Sequence, residues 1–133
     1  MSLRRTLIAS LAAASLVGIA GAARADIHIG VTLSLTGPGA SLGIPAENAL
    51  KLWSGDMAGH KVRFTVLNDG ADSTTATKNT QKLITEEKVD LILGSSLTPP
   101  SLAVVETAGA AGVPVISMAG GGAIVLPQDG PRK

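Results

Sequence analysis

Lys61–Leu93 reads KVRFTVLNDGADSTTATKNTQKLITEEKVDLIL. Its opening, Lys61–Asn68, places Val62, Phe64 and Val66 on one face and Lys61, Arg63 and Thr65 on the other, the period-two pattern of a strand. DGADS is turn chemistry, and Asp72 or Ser73 supplies an N-cap. Ala76, Thr80, Leu83 and Ile84 then recur at helical spacing, with Lys78, Lys82, Glu86 and Glu87 on the wet side, so a helix is predicted to about Lys88. Val89–Leu93 is a short apolar strand, the kind buried on both faces of a parallel sheet. A strand, a helix and a buried strand in that order define a right-handed crossover unit.

Working outward, the same alternation repeats on both sides. Ile27–Leu35, IHIGVTLSL, reads as a strand in which His28 alternates outward to the surface. Thr36–Gly43, TGPGASLG, reads as a turn-rich loop. A helix is predicted from Pro45 to Met57, with Ala46, Ala49, Leu50, Trp53 and Met57 on one face and Glu47 paired with Lys51 on another. Trp53 is thus expected in the core. Gly55 and Gly59 close that helix, and His60 is read as a surface residue. Beyond the central unit come the loop Gly94–Pro100, a helix from Pro100 to Ala111, a strand Val113–Ser117 and the loop Ser117–Gly122. The order is β-α-β-α-β-α-β, which predicts a doubly wound parallel α/β sheet with helices on both faces. In such sheets ligands lie beyond the carboxyl ends of the strands, near the switch in strand order.

Residues 1–25 have a different character. Arg4 and Arg5 precede an uninterrupted apolar run, Thr6–Ala22, and Ala23-Arg24-Ala25 places small residues where a signal peptidase inspects. A cleavable signal peptide is expected, by the Sec or the twin-arginine route, with residues 26–133 as the exported domain. No cysteine occurs, so neither a lipoprotein anchor nor a disulfide framework is available. Loss of Arg4, Arg5 and Arg24 lowers Lys plus Arg from 11 to 8 against 10 Asp plus Glu, moving the net charge from +1 to −2. That balance, with Trp53 and Phe64 as the aromatic residues, gives neither a basic face nor a stacking platform for nucleic acid.

Three loops leave the carboxyl ends of the first, third and fourth predicted strands: Thr36–Gly43, Gly94–Pro100 and Ser117–Gly122. They are rich in Ser, Thr and Gly and carry no ionisable side chain. Hydroxyls and backbone N–H groups at helix N-termini can hold an anionic group such as a carboxylate without a formal charge. Thr98, before Pro99 and Pro100, can act as cap and ligand donor together. Plain βα turns use the same residue types for capping, and that reading stays open. Nucleotide fingerprints, a nucleophile elbow and metal-ligand spacings are absent, so no cofactor, metal or catalytic residue is expected.

The stretches IGVTLSLTGPGASLGIPAENALKL, NDGADSTTATKNTQKLITEEKVDLILGSS and TPPSLAVVETAGAAGVPVISMAGGGA resemble, in order, the amino-terminal region of periplasmic type I solute-binding proteins of ABC importers. Their branched-chain amino-acid (leucine/isoleucine/valine) subgroup is the most similar. The resemblance implies a two-lobed ligand trap, and it covers residues 27–126. By motif it implies ligand contacts at Leu42 in the first loop, Thr98 after the third strand, and Ala119, Gly120 and Gly121 after the fourth. Gly121 departs from the Ser or Thr common in the family. The chain has about one third of the family's usual size, which implies a partial first lobe and weak or undetectable binding by it alone. The implied partners are an amino acid or a related small carboxylate or amide, and an ABC permease complex in the inner membrane. A periplasmic monomer without enzymatic activity is expected. A ligand sensor on the same fold that signals to a receptor is an alternative, and a doubly wound enzyme a more distant one.

Overall fold

Strand β1 (Ile27–Leu33) is the centre of the molecule: all but its first residue are buried. The computed structural model describes residues 26–53 and 55–125, so the expected signal peptide and the closing PQDGPRK lie outside the described residues. After β1, helix α1 (Ala40–Lys51) follows a short 3-10 turn, Gly37–Gly39. Next come β2 (Asp56–Met57), β3 (His60–Asn68), helix α2 (Ser73–Thr85), β4 (Leu91–Leu93), helix α3 (Thr98–Ala110), β5 (Val115–Ile116) and helix α4 (Gly122–Val125).

The sheet order is β2-β3-β1-β4-β5. Strand β1 pairs in parallel with β3 on one side and β4 on the other, and β5 pairs in parallel with β4. The chain therefore moves one way from β1 to β3, then crosses β1 to reach β4. That reversal places the switch in strand order between β1 and β4.

A central parallel strand must be covered on both faces, and the side chains around β1 divide accordingly. Ile29, Val31 and Leu33 join Val62, Phe64, Val66, Leu91 and Leu93 under Ala46 and Leu50 of α1. On the opposite face Ile92, Leu67 and Val115 pack with Ala76 and Leu83 of α2 and with Val104 and Ala108 of α3. Leu83 is fully buried, a burial that contributes about 1.5–3 kcal/mol. Gly30 faces this layer, where an added Cβ would lie 3.0 Å from Leu83 Cδ1, so α2 sits close on the sheet because residue 30 has no side chain. With α1 on one face and α2 and α3 on the other, the doubly wound α/β arrangement is present.

Several local expectations are corrected. Helix α1 starts at Ala40, not Pro45, and Pro45 lies inside it. Gly39 and Gly43, loop residues by composition, serve close packing. A Cβ on Gly43 would stand 2.2 Å from the Ser34 carbonyl oxygen, and one on Gly39 2.6 Å from Ser34 Cβ. The helix ends at Lys51, so Trp53 and Met57 do not share its buried stripe. Trp53 is 44% exposed and meets Phe64 edge-on, with ring centroids 6.2 Å apart. Met57 belongs to an antiparallel hairpin that the sequence pattern does not announce, β2–β3, in which Asp56 pairs with Lys61 and Met57 with His60. Its two-residue turn has positive φ at both Ala58 and Gly59, the pattern of a type I′ turn.

The remaining differences are at element ends. Asp72 is the N-cap of α2, as the sequence suggests, and its carboxylate accepts from Thr75 N at 2.7 Å and Thr75 Oγ1 at 2.8 Å. Helix α2 stops at Thr85, and Lys88 takes a left-handed conformation (φ 54°) that turns the chain into β4. Helix α3 begins at Thr98, two residues earlier than expected. Among the described residues no helix is long and apolar enough to cross a membrane.

Candidate ligand-binding edge

The carboxyl ends of β1 and β4 meet at the switch, and the segments leaving them carry the candidate residues. Thr98 is the first residue of α3, and Leu97 caps the helix without a side-chain hydrogen bond. Pro99 and Pro100 have no N–H, so the open amides at this helix end are those of Leu97 and Thr98. Neither these amides nor the Thr98 hydroxyl has a hydrogen-bond partner among the described residues. The half-buried Thr98 thus offers two adjacent donors at the positive end of a 13-residue helix.

The other expected residues are placed unevenly around it. Gly121 lies directly against Thr98: a Cβ added there would be 2.5 Å from Cγ2 and 2.7 Å from Oγ1. Gly120 is exposed, with nothing near the position of a Cβ. The backbone of Ala119 is engaged within its own loop, its carbonyl accepting from the Ser117 hydroxyl at 3.5 Å and its N–H donating to that oxygen at 3.2 Å. Leu42 is not in a loop; it occupies the first turn of α1 and is 55% exposed.

Beneath these segments lies a polar centre that the sequence reading overlooked. Asp69, in the turn after β3, is 1% exposed. Its Oδ1 accepts from Ser34 Oγ at 2.7 Å and from Ala71 N at 2.9 Å. Its Oδ2 accepts from Ser95 Oγ at 2.6 Å and Thr32 Oγ1 at 3.1 Å. Ser95 in turn receives the Ser101 hydroxyl on its carbonyl at 3.1 Å, and its N–H donates to Ser101 Oγ at 2.9 Å. Ser34 N donates to Ser96 Oγ at 3.3 Å. Every buried side-chain polar atom among the described residues is satisfied. Thr32 in β1 and Ser34 just past its end were a usable signal, because hydroxyls two residues apart on one buried face each need a hydrogen-bond partner.

His28 is a correction of a different kind. It is 3% exposed rather than on the surface. Nδ1 lies 2.9 Å from the Glu87 carbonyl and Nε2 2.8 Å from Thr65 Oγ1. A carbonyl only accepts, so Nδ1 carries a proton. His28 thereby ties the α2–β4 corner to β3 at the amino edge of the sheet, away from the candidate loops. His60 starts β3 at the same edge. No group of three His, Cys, Asp or Glu among the described residues could hold a metal ion.

A concavity of about 490 Å3 lies between α2 and α3, lined by Gln81, Ile84, Thr85, Glu106, Thr107, Ala110 and Ala111. It is on the outer face of the helix layer and shares no residue with the loop edge.

Residues 26–131 match the family model described as periplasmic binding protein. The chain belongs to that family. An extracellular ligand-binding receptor from Rhodopseudomonas palustris HaA2 is 42% identical, with a TM-score of 0.78 over 81% of this chain and 30% of its own. A solute-binding protein of an ABC transporter from Rhodopseudomonas palustris BisB5, solved with 3,4-dihydroxybenzoic acid, is 33% identical, with a TM-score of 0.71 over 75% of this chain and 29% of its own. The branched-chain amino-acid transporter substrate-binding protein LivJ from Streptococcus pneumoniae, solved with isoleucine, shares the fold at 24% identity, with a TM-score of 0.69 over 80% of this chain and 32% of its own. The chain thus spans about 30% of the length of the solved relatives it matches. No curated protein matches it.

Proposed function

We propose that this chain supplies the first-lobe half of a ligand trap in the solute-binding component of an ABC importer, and that its ligand is a small organic carboxylate. The observation that carries this reading is Thr98: a hydroxyl and an amide, both without a described protein partner, at the positive end of α3 beside the strand-order switch. The three loops offer an anion dipolar donors rather than a counter-charge, which suits a ligand that must leave again. No ionisable side chain stands in these loops to activate their hydroxyls as nucleophiles, so the reading is binding without chemistry.

Two ligand classes follow from the relatives. The 33% identical protein was solved with an aromatic acid, and LivJ with a branched-chain amino acid. Both present a carboxylate. Gly121 brings no side-chain acceptor for an α-ammonium, and the Ala119 carbonyl already accepts from Ser117, which favours a carboxylate lacking one. The leading segment, residues 1–25, is proposed to direct the protein to the periplasm, where a permease complex is its partner.

Calorimetry on the product of the whole reading frame tests this, with isoleucine, leucine and 3,4-dihydroxybenzoate as titrants. Saturable binding of at least one is expected. Absence of heat with every small carboxylate, at protein concentrations that detect millimolar binding, overturns it.

A further inference from the structure

We infer that Asp69 is the positioning residue of the ligand-binding edge: it ties the segments leaving β1, β3 and β4 into one preset platform and holds the start of α3, with Thr98, in place. The inference rests on the reading above that Thr98 meets the ligand, but its test does not. Asp69 touches no open surface, so it acts through other residues. Both carboxylate oxygens are fully used, and the four donors come from β1 (Thr32), the β1 exit (Ser34), its own turn (Ala71) and the β4 exit (Ser95). From Ser95 the chain of bonds continues to Ser101, one turn into α3 on the helix that Thr98 begins.

The arrangement is costly unless it does something. Burying a carboxylate without a cation requires near-complete hydrogen bonding, and here neutral donors alone supply it. An apolar pair at these positions would hold β1 to β4 at lower cost, since Val31 and Leu93 already do so on the other face. What an apolar contact lacks is direction. Four bonds from separate segments to one planar group fix how those segments sit relative to one another, which a two-donor site needs if it is to meet a carboxylate without rearranging.

The substitution Asp69→Asn keeps the shape of the side chain but puts an amide NH2, which cannot accept, where one carboxylate oxygen now accepts two bonds. The test compares Asp69→Asn and Ser95→Ala with the unaltered chain by hydrogen-exchange mass spectrometry at neutral pH. Expected is faster exchange in peptides spanning residues 94–101, by about tenfold, the loss of one buried hydrogen bond to a charged group. Peptides of the β2–β3 hairpin and of the second half of α3 should change far less. An increase shared equally by the hairpin would reduce Asp69 to general stability and overturn the inference, as would unchanged exchange at 94–101. If Asp69→Asn does not fold, Ser95→Ala decides alone, since it removes one donor of four. Calorimetry with 3,4-dihydroxybenzoate and isoleucine on the whole-frame protein runs beside it. Wild-type protein that binds neither probe counts against the proposed function only; a wild type that binds, with unchanged affinity in both variants, counts against the positioning role.

Discussion

Thr98 occupies the space that a side chain on Gly121 would need. The two residues come from the ends of different strands, and a Cβ at 121 would meet both the methyl and the hydroxyl of Thr98 at less than 3 Å. Gly121 does not have a positive φ, so glycine is required by space and not by backbone conformation. A hydroxyl-bearing side chain cannot simply be placed at this position.

Gly121→Ser is therefore expected to destabilise the protein by about 1–3 kcal/mol, the usual cost of overpacking, in urea unfolding. Thr98→Ala removes both atoms it would strike. The double variant should recover at least about 0.5 kcal/mol relative to the sum of the singles. Strict additivity would show that the contact is not what excludes a side chain.

Thr98→Val keeps the branched shape and deletes the hydroxyl. Its effect should fall on binding, with affinity for a carboxylate titrant reduced about tenfold or more in calorimetry, the worth of a hydrogen bond to a charged group. Stability should change by less than about 1 kcal/mol, because that hydroxyl bonds no described residue. A large fall in melting temperature with unchanged affinity would make Thr98 a structural cap.

Two glycines should respond oppositely to alanine. Gly43→Ala drives a Cβ onto the backbone oxygen of Ser34, 2.2 Å away, and neither partner has a flexible end. A loss of about 3 kcal/mol is expected. Gly120→Ala meets nothing within 4 Å at a residue without positive φ, so it should be neutral or stabilising by up to about 1 kcal/mol. Thermal unfolding of the two variants side by side checks the contrast.

Asp72 gives the acid dependence a sign. Its carboxyl is held below the ordinary value of 3.8, first by the Thr75 N–H, then by the Thr75 hydroxyl. A lowered folded-state pKa means that this contribution is complete above the unfolded value and is lost as pH falls through the folded one. Asp72→Asn should therefore be less stable than the unaltered chain at neutral pH, and the gap should close as pH drops below 3.8. A gap that persists in full at the acid end of the titration would assign the difference to cap geometry instead of charge.

The fold was legible because its signals are local. The period-two run of β3, the Asp72 cap and the apolar β4 each announce themselves within a few residues, and their order fixes a crossover. What sequence could not give was contact across the sheet. His28 reads as outward by alternation, yet a strand between two helical layers has no outward face. Gly39 and Gly43 have the composition of a turn, and only the approach of Ser34 shows that they are packing residues. Trp53 fits a helical stripe that the helix ends too early to include. At the candidate edge Thr98 and Gly121 stand out individually, while Asp69 lies in a stretch whose composition says only turn. Its importance comes from Ser34 and Ser95, 35 and 26 residues away.

Strand β1 is the middle of the sheet and also the earliest strand in the described chain. During synthesis Val31 and Leu33 emerge before either neighbour exists, since β3 starts at His60 and β4 at Leu91. Val31 and Leu33 first meet partners in Val66 and Asn68 of β3, 35 residues on, and the other side of β1 stays uncovered until β4 follows. Only when β4 has been made can β1 be closed in on both edges.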